Sequence, residues 1–181
     1  MALIVVLAYW PGLKGPFLLD DVDVLSALGK FGGVTDWDTF KAFVFGGQAG
    51  PTGRPLALLT YLFDGTEWPT EPWPFKRTNL LIHMANGVLL GVLTSMVLNL
   101  LAYDKRDARV IALVSVAAWL LHPLLVSTTL YVAQRMAQLA TLFVFAGLVS
   151  YLYGRSLLAR DKAKAYLVMS VSIGLFTPLA L

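Results

Sequence analysis

The distribution of apolar positions divides the chain in two. From Thr78 onward, long hydrophobic runs alternate with short charged connections, and the segments fall at about 78–103, 110–131, 136–153 and 165–181. Such lengths approach the roughly 20 residues that a helix needs to cross hydrocarbon. In the first segment Asn79, His83 and Asn86 are spaced four and three apart, which places them on one helical face. Leu89, Leu90, Val92, Leu93, Met96, Val97, Leu98 and Leu100 make the rest hydrocarbon-compatible. At about 1.5 Å per residue, His83 and Tyr103 stand roughly 30 Å apart, one bilayer core. The polar seam is therefore expected at one membrane surface and the cluster Asp104–Arg109 at the other.

Before Lys76 the pattern is different. Ala2 to Trp10 is an apolar run stopped by Pro11-Gly12. It is too short to span and reads as a partial first transmembrane helix, residues 1–13. Residues 14–76 are punctuated by Gly and Pro, with short amphipathic pieces at Val22–Phe31 and Trp37–Phe45 that suit interfacial helices. Asp36 is the expected N-cap of the second piece and Gly46-Gly47 its stop. Trp37, Trp68 and Trp73 fit an aromatic belt at headgroup level. The run Leu56–Phe63 is too short to span and is expected at the interface.

Composition supports this division. Hydrophobic residues make up 57% and charged residues 14%, and mean hydropathy is +0.70. An ordinary soluble domain has about 45–50% apolar and about 25% charged residues. The expected class is an all-α polytopic membrane protein with about four to five transmembrane helices, the first and last incomplete, and a large first loop with interfacial helices. The net charge of +3 does not form a nucleic-acid patch, and with no cysteine there is no disulfide framework.

Charge also orients the segments. The connection Asp104–Arg109 holds three basic residues and Arg155–Lys164 holds four, whereas the intervening turn has only Arg135. Alternate crossings put both basic connections on one side, which the positive-inside rule makes cytoplasmic. The large loop 14–76, the seam and Arg135 then face outward. The last segment stops at Leu181 just after Pro178, so the span region 77–181 is expected to be part of a larger membrane domain.

Several polar groups converge on that outward surface. Asp20-Asp21 follow the apolar Phe17-Leu18-Leu19; adjacent carboxylates in such a setting have raised, coupled pKa values and suit a general base or a divalent-cation site. The same pair also fits a solvated turn or an N-cap for a helix starting at Val22. Arg54, held before Pro55, can bind phosphate or carboxylate bidentately or simply snorkel. His122-Pro123 lies roughly 20 Å from Arg109 along a helix, where a polar group faces a cavity or makes an interhelical hydrogen bond. Gln134-Arg135 open the next span. No cofactor is required by these residues; a divalent cation at Asp20 and Asp21 is the one option the pair offers.

The order of motifs carries a resemblance. Tyr9-Trp10-Pro11-Gly12, Phe17-Leu18-Leu19-Asp20-Asp21, Gly53-Arg54-Pro55-Leu56, Phe75 to Asn86, His122-Pro123 and Tyr131-Val132-Ala133-Gln134-Arg135-Met136 resemble the N-terminal part of bacterial relatives of the transmembrane and tetratricopeptide-repeat O-mannosyltransferases. Those are GT-C membrane glycosyltransferases. The resemblance implies a bacterial inner-membrane protein and a polyprenyl-phosphate-linked sugar donor. It also implies a protein or glycan hydroxyl as acceptor and an acidic pair, here Asp20 or Asp21, that supplies the catalytic base. Arg54, Asn79, His83, Asn86, His122, Gln134 and Arg135 are then the expected donor-phosphate or substrate groups. The chain departs from the family in having fewer spans and no 34-residue helical repeat.

Two other classes compete. A transporter fragment would need polar residues through the full membrane depth, whereas here they crowd one side. A non-catalytic assembly module would use Asn79, His83 and His122 as interhelical glue. Among enzymes, a pilin-type O-oligosaccharyltransferase is the nearest rival.

Overall fold

The computed structural model describes residues 1–30, 32–46 and 54–180, and among these every regular element is helical. Three helices are long and apolar enough to cross a membrane: α5, Pro72–Leu100; the stretch Val132–Leu157, which contains α8, Arg135–Leu157; and α9, Lys162–Ala180. Only 22%, 17% and 11% of their most apolar windows is buried, so their apolar side chains face outward, as hydrocarbon favours and water does not. This is compatible with a helical membrane protein.

The chain forms two compact units. One comprises residues 2–82 with 126–138. It opens with α1, Ala2–Tyr9, which runs into a 3-10 turn over Trp10–Lys14. Short helices follow: α2, Asp20–Leu25, continued by a 3-10 turn Ser26–Gly29; α3, Trp37–Gly46; and α4, Pro55–Tyr61. Their apolar faces build one core of Leu25, Leu28, Phe43, Val44, Leu58, Tyr61, Phe75 and Val132. Short helices expected within 14–76 are thus present and share a core. The expected cap of α3 is observed: Asp36 Oδ1 accepts the Thr39 amide at 2.8 Å, and these bonds hold the Asp36 carboxyl below its ordinary range. The helix ends at Gly46; Gly47, Phe31 and Leu181, named in the expectations above, lie outside the described residues. The expected motif residue Gly53 does as well.

The other unit comprises residues 83–125 and 139–181, with Met1. In it α5 packs on α6, Lys105–Leu120, which Asp104 caps by accepting the Arg106 amide at 2.8 Å. Gly87 and Gly91 permit this approach: a Cβ at Gly87 would lie 2.6 Å from Leu120 Cδ2, and one at Gly91 2.9 Å from Val116 Cγ2. Small residues four apart serve close helix contacts in membranes in the same way. Ser172 on α9 donates to the Gly147 carbonyl of α8 at 2.6 Å.

The expected span 110–131 is not one helix. α6 stops at Leu120 after 16 residues, and the chain turns through Leu121–Leu124 before the short α7, Leu125–Leu130. Pro123 explains the break: it lacks an amide hydrogen and disfavours helical geometry at His122. Among the described residues, three helices of spanning length therefore stand where the hydrophobic pattern predicts four long segments.

Candidate functional site

The acidic pair and the segment Tyr131–Arg135 come together in the unit of residues 2–82 and 126–138. Asp20 and Asp21 are the first residues of α2 rather than its cap; that place belongs to Leu19, whose φ of 38° is a strained value for a residue with a side chain. The two carboxylates then diverge. Asp21 is fully buried. Its Oδ1 accepts the Ala133 amide at 2.7 Å and its Oδ2 the Leu18 amide at 3.0 Å. Burial pushes its carboxyl above the ordinary aspartate value, against the opposing pull of the Ala133, Leu18 and Val132 amides and the charge of Lys76. Asp20 is exposed, and its amide donates to the Tyr131 hydroxyl at 3.0 Å. Burial also raises the Tyr131 phenol, and the two carboxylates add to that effect.

Beneath this pair lies a buried polar cluster centred on Arg135, which is fully enclosed. Its Nη2 is 2.6 Å from Asp64 Oδ2 and donates to the Phe75 carbonyl at 2.8 Å. Its Nε donates to Asn79 Oδ1 at 2.7 Å, and its Nη1 to the Thr60 carbonyl at 2.9 Å with the Thr60 hydroxyl oxygen at 3.5 Å. Four oxygens thus accept hydrogen bonds from the guanidinium, and Asp64 Oδ2 faces it as an ion-pair partner without hydrogen-bond geometry. Its flat face rests 4.6 Å from the Tyr61 ring centroid. Thr78 Oγ1 donates to the other Asp64 oxygen at 2.5 Å.

The cluster grips the backbone that holds the acidic pair. Tyr61 donates its hydroxyl to the Val132 carbonyl at 3.1 Å, and Asn79 Nδ2 donates to the Tyr131 carbonyl at 3.1 Å. Lys76 Nζ donates to the carbonyls of Gly15 and Pro16 at 2.9 and 2.8 Å, fixing the loop that enters α2. Residues 131–135 are accordingly clamped from below by side chains of α4 and α5 and carry Asp21 above.

The remaining predicted residues are placed as follows. Arg54 is exposed, with φ 40° and ψ 60° in the left-handed region, and its Nη1 lies 3.4 Å from Met136 Sδ. Gln134 is half-buried in a 3-10 turn and donates its amide to the Tyr131 carbonyl at 3.1 Å. His83 and Asn86 are buried in the other unit, where His83 Nε2 is 3.2 Å from the Leu120 carbonyl. His122 belongs to that unit also, but it is exposed, and its Nδ1 accepts the Leu124 amide at 3.2 Å, a local turn rather than the expected interhelical bond. Asn79, His83 and Asn86 are all buried, as one shared helix face requires. Arg135, expected as a donor-phosphate or substrate group, is fully buried.

Sequence reasoning missed Asp64, Lys76 and Tyr131. A signal for Asp64 exists: it is a lone carboxylate closing the apolar run Leu56–Phe63, a position that calls for a cationic partner once buried. Among the described residues no group of three or more His, Asp or Glu comes together to hold a metal ion. An enclosed cavity of about 90 Å³ lies between α2 and α3, lined by Val24, Leu28 and Phe43 among others, and includes neither carboxylate.

Compared with protein-family models, curated proteins and solved structures, the chain matches none.

Proposed function

We propose that this chain, or the longer protein of which it is part, is a GT-C-type membrane glycosyltransferase that moves a sugar from a polyprenyl-phosphate donor to a protein or glycan hydroxyl. The observation that carries the reading is the divergence of the acidic pair: Asp21 is bound into the scaffold, and Asp20 is left open beside it. Asp20 is then the base and Asp21 a positioning residue. As the acceptor oxygen forms its bond to the anomeric carbon, Asp20 takes the hydroxyl proton. The bond from that carbon to the phosphate oxygen breaks, its electron pair leaves with polyprenyl phosphate, and the anomeric configuration inverts. Asp20 later returns the proton to water.

Phosphate departure needs positive charge nearby. Arg135 is fully enclosed and paired with Asp64, so Arg54, exposed and held by strained backbone, is the better candidate, and Arg135 acts through the segment it fixes. In this reading the protein sits in the bacterial inner membrane with residues 14–76 extracytoplasmic, four to five spans in all and no cofactor needed. The internal commitment of Asp21, Asn79 and Arg135 also favours one rival, a non-catalytic assembly module, because each of those groups has a purely structural use.

The test is donor chemistry. Purified protein is mixed with radiolabelled polyprenyl-phosphate sugars, and both binding and release of polyprenyl phosphate are followed. The proposal expects donor binding that weakens in Arg54→Ala and turnover that disappears in Asp20→Asn while binding persists. Absence of binding by any lipid-linked sugar would overturn it in favour of the assembly module.

A further inference from the structure

A second feature stands apart from the acidic pair and does not depend on sugar transfer. In the unit of residues 83–125 and 139–181, α5 and α6 enclose a groove of about 500 Å³. Its walls are apolar: Val88, Val92 and Met96 on α5 face Ala112, Leu113 and Val116 on α6. Val88 and Leu113 are 65% and 62% exposed, so the groove opens outward along its length. The close contact of Gly91 with Val116 forms its floor. Ser95 turns its hydroxyl back to the Gly91 carbonyl at 2.8 Å, which removes that polar group from the wall.

Polarity changes at one end. Asn99 and Arg109 line the groove there, and an adjoining hollow of about 430 Å³ shares Ser95, Asn99 and Arg109 and adds Lys105. Arg109 Nε donates to the Lys105 carbonyl at 3.1 Å, which steadies the side chain and keeps its two terminal amino groups for a ligand. Among the described residues neither Lys105 nor Arg109 forms an ion pair. A cavity of this size is within the range of small-molecule sites, about 300–1,000 Å³.

We propose that this groove holds an anionic phospholipid of the surrounding membrane, its acyl chain along Val92, Met96 and Leu113 and its phosphate between Lys105 and Arg109. An apolar trough that ends in two unneutralised cations complements one chemistry, a hydrocarbon tail bearing a negative headgroup. Basic pockets between membrane helices recognise anionic lipid headgroups on the same grounds. A protein helix seated in the groove would satisfy the apolar walls and leave both charges bare.

The proposal is tested with the full chain in phosphatidylcholine nanodiscs carrying trace spin-labelled phosphatidylglycerol or phosphatidylcholine. The readout is the motionally restricted fraction of each label. The expected result is a preference for phosphatidylglycerol that falls roughly fivefold for each of Lys105→Ala and Arg109→Ala. Arg109→Lys is expected to retain most of it. Val92→Trp, which fills the trough, should reduce restriction of the label, with circular dichroism verifying helix content in every variant. Arg160→Ala, in the other basic connection, should leave the preference intact. Equal restriction of the two lipids would overturn the site, as would an Arg160→Ala loss equal to that of Arg109→Ala. Displacement of the label by inorganic phosphate alone would overturn it too, since the acyl groove would then contribute nothing.

Discussion

Arg135 Nη2 lies 2.6 Å from a carboxylate oxygen of Asp64, and both side chains are shut off from solvent. The pair fixes the segment that begins at Tyr131 and so the backbone on which Asp21 hangs. Its value is positional more than energetic, because desolvation of two charges offsets much of their attraction. Removing one partner is a different matter. Arg135→Ala strands a buried carboxylate and is expected to cost about 3–5 kcal/mol, whereas the double change Arg135→Leu with Asp64→Leu should cost much less. Thermal unfolding of the purified protein in detergent compares them; equal losses for the single and double variants would remove the pair from this role.

Asp20 and Asp21 are expected to fail differently. Asp21→Asn places an amide NH2 where an oxygen now accepts a backbone N–H, so it should destabilise the fold by about 1–3 kcal/mol. Asp20→Asn changes an exposed group and should melt with the wild type. Melting curves of the two variants side by side check the distinction, and an Asp20→Asn variant as unstable as Asp21→Asn would contradict it.

The raised carboxyl of Asp21 sets a sign for pH dependence. A carboxylate whose folded pKa exceeds its unfolded value binds more protons when folded, so its contribution is complete below the unfolded value and is lost as pH rises through the folded one. Wild type should therefore lose stability relative to Asp21→Asn as pH climbs from the acid side of the aspartate range. Unfolding midpoints at a series of pH values provide the check, and a gap that widens with rising pH would reverse the assignment.

Close packing of α5 on α6 predicts a steric effect at Gly87. Any Cβ there meets Leu120, and Gly87→Ile should cost about 1–3 kcal/mol through overpacking. Gly174, where a Cβ meets nothing within 4 Å, is the control position for alanine. Unfolding of both variants in the same detergent reads the difference; a Gly87→Ile protein as stable as wild type would argue against the close approach.

Much of this arrangement is written in local pattern. Period and length mark α5, α8 and α9, the capping pair Asp36 and Thr39 starts α3, and the spacing of Asn79, His83 and Asn86 predicts three side chains on one buried face. What local pattern does not carry is the identity of partners far apart in sequence. Arg135 reads as a cation in an outward turn until Asp64 is brought to it by the packing of α4 and α5. His122 reads as a buried polar group only if α6 continues through Pro123, and the proline ends it instead. The two adjacent aspartates look equivalent in sequence; the amides of Leu18 and Ala133 distinguish them, and no periodicity places those amides.

The most direct measurement is single-turnover release of polyprenyl phosphate from a radiolabelled lipid-linked sugar, comparing Asp20→Asn and Asp21→Asn at equal folded fraction. The account predicts a loss of about 10²–10⁴-fold for Asp20→Asn with donor binding unchanged, and a much smaller loss for folded Asp21→Asn. Turnover by Asp20→Asn at the wild-type rate would contradict it and would leave the acidic pair as scaffold alone.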